Sequence, residues 1–190
     1  MATLVFLLEE ESAKYMLQGL LTRQLPNFEK IHYFCFQGKQ DLEKNIYLKI
    51  QYWQTPNTTF IILRDQDSAD CIAVKENILN LVEKINNPNI QKIIVRIACH
   101  ELENFYLGDL YAIEQAFNIS GLSKKQNQNK YRTPDNLSNA KQELKNLTKN
   151  EYQQISGSRR ISSYMTLNDN RSYSFNVLMK SIFQDNLILE

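Results

Sequence analysis

The sequence predicts an α/β fold, a mostly parallel four-stranded, Rossmann-like sheet flanked by helices, and three observations carry that expectation. Apolar or β-branched runs recur at 3–8, 31–36, 59–63 and 92–98. Stretches of helical periodicity separate them, at 11–24, 39–54 and 70–86. Strands alternating with helices of this length fit right-handed βαβ crossovers, which set successive strands parallel.

Each element has its own signal. The run TLVFLL at 3–8 is continuously apolar, as a strand covered on both faces requires. Ala13, Leu17, Leu20 and Leu21 then recur at helical spacing, and Pro26 is expected to end that helix. IHYFCF at 31–36 is aromatic and β-branched, which favours a strand. Leu42, Ile46, Ile50 and Trp53 form a helical stripe, and TFIIL at 59–63 reads as a buried strand. Ile78, Leu81, Val82 and Ile85 mark the next helix, stopped by Asn86-Asn87-Pro88. KIIVRIA at 92–98 completes the sheet.

The pattern then changes. Tyr106, Leu110, Ile113 and Phe117 place one helix over 102–117, and 118–135 is polar enough to read as a surface loop. Short helices are expected at 137–147 and 158–166, followed by an amphipathic one carrying Phe175, Leu178, Met179, Ile182 and Phe183. The expected organisation is an α/β core over 1–117 with a helical appendage over 118–190, packed together as a single domain.

At 190 residues, 43% hydrophobic and 23% charged, the chain can bury one sizeable core and is not a disordered composition. Net charge is +1 overall but unevenly spread. Residues 1–117 carry 11 Lys/Arg against 15 Asp/Glu, and 118–190 carry 11 against 6. That asymmetry suits a metal-bearing face beside a phosphate-binding surface, and suits two ordinary solvated faces even better.

Several function classes are excluded. Cys35, Cys71 and Cys99 are isolated, without CxxC spacing, so they read as reduced core thiols of a cytoplasmic protein. With only His32 and His100, neither a histidine zinc site nor a serine or cysteine triad is supported. No GxGxxG or Walker A loop occurs among the five scattered glycines. The apolar run Leu4–Leu8, stopped by Glu9-Glu10-Glu11, is too short for a membrane span and is not expected to be a signal peptide.

The chemistry-bearing residues are acids at strand ends. In an open parallel sheet, ligands bind beyond the carboxyl ends of the strands. Glu9, Glu10 and Glu11 follow the first strand, and Asp65, Asp67 and Asp70 follow the third. In extended chain Asp65 and Asp67 point to one side, and Glu9 joins them if the first and third strands are neighbours. Hard oxygen ligands of this kind suit Mg²⁺ or Mn²⁺. Glu101 and Glu103, after the fourth strand, are candidates to extend the set. Each acid alone is more simply a helix cap, with Asp67 or Ser68 the obvious caps of the following helix. Arg64, Arg96, Arg159, Arg160 and Arg171 are candidate phosphate contacts. Lys124, Lys125, Lys130 and Arg132, around Tyr131, form a basic loop that could grip nucleic acid.

The order "strand, Glu; strand, Asp-x-Asp" in VFLLEE and LRDQD resembles the Toprim domain of topoisomerases, primases and OLD-group nucleases. Glu9 matches the Toprim glutamate, and Asp65 and Asp67 match the DxD; Glu10 stands where glycine is common. Over nearly the whole chain, LRDQDSADC, VRIACHELENFYLGDLYAIEQAF, KYRTPDNL, SGSRRISSYM and NRSYSFNVLMKSI resemble the bacterial family called domain of unknown function 4276. Members of that family are often encoded beside AAA-type or ABC-type ATPases, in suspected phage-defence systems. The resemblance implies a Toprim-like effector role and an ATPase partner; with the acidic set, the expectation is Mg²⁺ used against DNA or RNA, and the short apolar runs leave no membrane partner expected. A non-catalytic partner subunit of such an ATPase is the competing expectation.

Overall fold

The computed structural model describes residues 3–24 and 30–183. In chain order it comprises β1 (Thr3–Leu8), α1 (Glu11–Gln24), β2 (Ile31–Cys35), α2 (Lys39–Gln51), β3 (Thr58–Asp65), α3 (Cys71–Val82) and β4 (Ile90–Ala98). Then follow α4 (Glu103–Leu107), α5 (Leu110–Phe117), α6 (Asn129–Arg132), α7 (Ala140–Leu147), α8 (Gln154–Ser162) and α9 (Tyr173–Phe183). The four strands are all parallel and lie in the order β2-β1-β3-β4. The expected fold class is thus the observed one, and β1 and β3 are direct neighbours with Leu8 opposite Leu63. Pro26 lies outside the described residues.

The alternation within each strand sorts side chains into two apolar layers. Val5, Leu7, Phe60, Ile62, Val95 and Ile97 pack with Leu42, Ile46 and Ile50 of α2 and Val74, Ile78 and Val82 of α3. Leu4, Phe6, Leu8, Ile61, Leu63 and Ile94 face the other way, onto α1 and the helices beyond β4. This is why β1 is apolar at every position after Thr3: each of its five hydrophobic residues is fully buried, on one face or the other. Burial of such side chains stabilises by roughly 1.5–3 kcal/mol each, as an upper bound.

The basic second half shares its core with the sheet. Tyr152, Ile161, Phe175, Leu178 and Ile182 belong to the same apolar layer as Phe6 and Ile61. Helix α8 runs against α1 and α5, and α9 against β4.

Several boundaries differ from the sequence expectation. The helix expected over 102–117 is two, because Asp109 leaves helical geometry and its carboxylate caps α5, accepting from Ala112 N at 3.0 Å. The helix expected to 86 ends at Val82. The helix expected over 158–166 starts four residues earlier, at Gln154. The polar 118–135 stretch is a chain of short turns that includes α6, with Leu122 and Tyr131 buried. Among the described residues no helix is long and apolar enough to cross a membrane.

Candidate acidic site at the carboxyl edge of the sheet

The register that pairs Leu8 with Leu63 carries on past the strand ends. Glu9 N donates to Leu63 O at 3.3 Å, and Asp65 N donates to the Glu9 carboxylate (Oε2) at 3.1 Å. Gly38 N donates to Glu9 O, at a φ of 91° that favours glycine, so the β2–α2 loop closes over the same edge. Glu9 and Asp65 are therefore held together by backbone geometry that follows from strand order.

The turn after β3 is zipped to the turn after β4. Gln66 N donates to Ala98 O (2.9 Å), Asp67 N to His100 O (2.8 Å), and His100 N to the Gln66 side-chain oxygen (3.2 Å). Asp67 is left-handed, φ 57°, as the short polar Asp tolerates. Strand β3 stops at Asp65, so the extended-chain alternation expected to align the two carboxylates does not reach Asp67. Asp67 instead carries the Lys39 ammonium, Nζ to Oδ2 at 2.8 Å, and that hydrogen bond raises the lysine pKa.

The acids around Asp65 form a group of a different kind. Asp65 Oδ2 accepts from Leu102 N at 3.2 Å. Burial, then the charges of Glu10, Glu103 and Glu9, push its pKa well above the ordinary aspartate value. Glu9 is raised too, first by burial; its hydrogen bond from Asp65 N and the Arg64 charge oppose the rise, while Asp67 and Glu10 add to it. Glu103 is 1% exposed, and burial lifts its carboxyl to about 7 against the hydrogen bond from Tyr152. Burial and like charge both favour the protonated form, and a divalent cation would relieve both.

The remaining candidates are placed as follows. Glu11 is exposed in the first turn of α1. Glu101 Oε2 accepts from Lys141 N at 2.7 Å, at the start of α7. Asp70, rather than Asp67 or Ser68, caps α3, accepting from Ala73 N at 2.9 Å. Arg64 is buried on the α2 side, paired with Glu43 at 3.1 Å. Arg96 donates to Ser181 of α9 at 2.6 Å. Arg159 is exposed, with its guanidinium 4.3 Å from the Tyr15 ring centre, and Arg160 lies over Phe117 and donates to Ala116 O at 2.6 Å. Arg171 is exposed, its backbone N bonded to Gly108 O. In the basic loop Lys130 is taken up by Glu143, which also accepts from the buried Tyr131, while Lys124, Lys125 and Arg132 are exposed.

The structure thus brings together Glu9, Asp65 and Glu103 and adds Glu10. Glu101, Arg96 and Arg159 have the other contacts described above, to Lys141 N, Ser181 and the Tyr15 ring. Sequence reasoning left Glu10 undistinguished within the Glu9-Glu10-Glu11 run, because β1 ends at Leu8 and strand alternation says nothing of the bend beyond it. Tyr152 and Gln154, which touch these acids, gave no local signal at all.

Among the described residues no three His, Cys, Asp or Glu side chains stand arranged to hold a metal ion. The donors nevertheless fit Mg²⁺ or Mn²⁺ in their chemistry: oxygen ligands only, mutually repelling, at a sheet edge, with Asp67 already drawing the chain's own cation. Ligation by several of them at once requires side-chain rearrangement.

Comparison with solved structures finds one of similar fold, the C-terminal region of the OLD protein of Xanthomonas campestris pv. campestris. It aligns over 96% of this chain and 94% of that one, with a TM-score of 0.53 and 12% sequence identity. No curated protein matches. The model of the family described as Domain of unknown function (DUF4276) matches residues 8–182, and the chain belongs to that family.

Proposed function

We propose that this chain is a Mg²⁺- or Mn²⁺-dependent effector that cleaves phosphodiesters in DNA or RNA, acting with an AAA- or ABC-type ATPase in phage defence. The observation that carries the reading is the meeting of acids at neighbouring strand ends, where Asp65 N donates to the Glu9 carboxylate at 3.1 Å and the charges of Glu10, Glu103 and Glu9 add to burial in raising the Asp65 pKa. Repelling acids of this kind at a strand end cost stability, and a site for a hard cation accounts for them. The OLD-like fold and the family resemblance, with its ATPase neighbours, support the same reading.

In this scheme Glu9, Asp65 and Asp67 are the ligands, with Glu103 next to them, and Glu9 doubles as the group that takes the proton of the attacking water. A bound Mg²⁺ or Mn²⁺ supplies Lewis-acid stabilisation of phosphoryl oxygens and a more acidic water. Lys39 must leave Asp67 for that carboxylate to ligate, and the exposed pair can open at little cost.

The second reading, a non-catalytic partner subunit, is favoured by the Lys39–Asp67 ion pair and by the use of Glu101 to cap α7. Cleavage assays on DNA and RNA with Mg²⁺ or Mn²⁺, with and without the partner ATPase, separate the two. Metal-dependent cleavage by the wild type that falls to background in Asp65→Asn and Asp67→Asn supports the enzyme. Cleavage that survives in both variants, or never occurs, supports the subunit.

A further inference from the structure

Helices α1 and α8 lie side by side and run in the same direction. Near their starts Gln154 Nε2 donates to the Glu10 carboxylate at 3.0 Å. Further along, the Ser162 side chain fills the space that a Cβ at Gly19 would need. Near their ends Arg23 donates to the Ser162 and Met165 carbonyls, both at 2.7 Å. The pair forms a ridge that begins at the acidic edge of the sheet.

On that ridge two cations share one ring. The Lys14 ammonium lies 5.7 Å and the Arg159 guanidinium 4.3 Å from the Tyr15 ring centre. Attraction to the ring face holds the two like charges in place. Among the described residues neither cation has an ion pair, whereas Lys39, Arg64 and Lys130 each pair with a carboxylate. Glu11, one turn before Lys14, is exposed and closes no ion pair with it. Arg23 and Arg160 differ, since their guanidinium groups donate to backbone carbonyls.

The shared ring stands close to the acids. Burial raises the pKa of the Cys35 thiol at the end of β2, and the Lys14 charge opposes the rise, which places Lys14 near that strand end. Arg159 follows Gln154 by five residues, a helical rise of about 7.5 Å. That is about two steps of 3.4 Å along a nucleic-acid strand. Cations left without an acid attract a polyanion. Arg159 offers a planar fork that matches two phosphate oxygens, and Lys14 offers a point charge.

We propose that Lys14 and Arg159, set on Tyr15, contact the phosphate backbone of DNA or RNA and guide the strand along the α1–α8 ridge to the acidic edge. The inference rests on the phosphodiester reading above for its substrate class. Contacts of this kind position the strand and read no sequence. An acidic protein surface is the competing occupant.

The test is fluorescence anisotropy of labelled DNA and RNA oligonucleotides with the full chain, over a salt series in EDTA, so that binding is read apart from cleavage. Lys14→Gln and Arg159→Gln should each reduce the log–log salt slope by about 0.7–0.9, on every sequence alike. Lys75→Gln, which removes an exposed cation from α3 on the other face of the sheet, should leave the slope unchanged. A second measurement needs no variant: bound oligonucleotide should protect Lys14, and not Lys75, from an amine-reactive reagent. Slopes in both ridge variants equal to that of Lys75→Gln overturn the inference, and so does an unprotected Lys14 or a wild type that binds no oligonucleotide. Polyglutamate that displaces the oligonucleotide as well as unlabelled nucleic acid does assigns the ridge to an acidic protein and overturns it too. Binding that needs both cations, without cleavage when Mn²⁺ is added, keeps this inference and removes the nuclease reading. Cleavage by both variants with the wild-type KM does the reverse.

Discussion

The two flanks of the sheet's carboxyl edge use the same residue types and treat them in opposite ways. On the α2 side two acids have cations, Asp67 with Lys39 and Glu43 with Arg64, while Asp41 accepts from Gln37 N and Asn45. On the side covered by α8, Glu10 and Glu103 are held by an amide and a phenol, and Asp65 lies in their field. Ion pairs near the surface are ordinary and contribute little. Acids brought together under cover with neutral partners are costly, so they mark where folding has been subordinated to something else. The comparison locates the unusual chemistry on the α8 side, toward the segment that a sequence reading treats as an appendage.

Disturbing the α8 side has the largest expected effect on stability. Gly157→Ala forces a methyl into the Tyr152 ring. Overpacking of this kind costs about 1–3 kcal/mol, and it moves the hydroxyl off Glu103. Denaturant melts read the loss; a variant as stable as wild type means that Tyr152 is free to shift, and the rigid bracing of this flank is wrong.

The next effect is smaller and depends on pH. The folded-state pKa values of Glu103, Asp65 and Glu9 lie above their ordinary values, Glu103 near 7. A raised carboxyl binds its proton more tightly in the folded chain, so its contribution is favourable at low pH and is lost as pH rises. Metal-free stability should therefore decline between about pH 4.5 and 7 from the Glu103 contribution. Glu103→Gln keeps an acceptor for Tyr152 and should flatten that decline, leaving the variant the more stable of the two at neutral pH. A parallel pH profile in the variant would show that Glu103 is not strained by its surroundings.

On the α2 side the corresponding change should hardly register. Lys39→Met removes the partner of Asp67, and with both side chains near half exposed the loss should stay below about 1 kcal/mol and shrink further with added salt. A larger, salt-insensitive loss would erase the contrast between the two flanks.

Much of this was legible in the chain itself. Period and composition determined the strands, the helices between them and the parallel sheet, because burial on both faces demands continuous apolar runs and βαβ crossovers demand helices of that length. The acids at the ends of β1 and β3 were legible for the same reason, since strand ends are where an open sheet exposes its loops. Local sequence could not say that Asp67 turns left-handed onto Lys39, that Asp109 splits one helix into α4 and α5, or that Asp70 is the cap of α3. The first depends on a backbone hydrogen bond between turns 33 residues apart, from Asp67 N to His100 O, whereas Asp109 and Asp70 cap through bonds only three residues long that neighbouring polar residues could equally have made. Above all, only the tertiary structure decided that Gln154 and Tyr152 belong with Glu10 and Glu103. A hydrogen bond spanning 144 residues leaves no period and no motif in the sequence, because it is set by how α8 lies across the sheet.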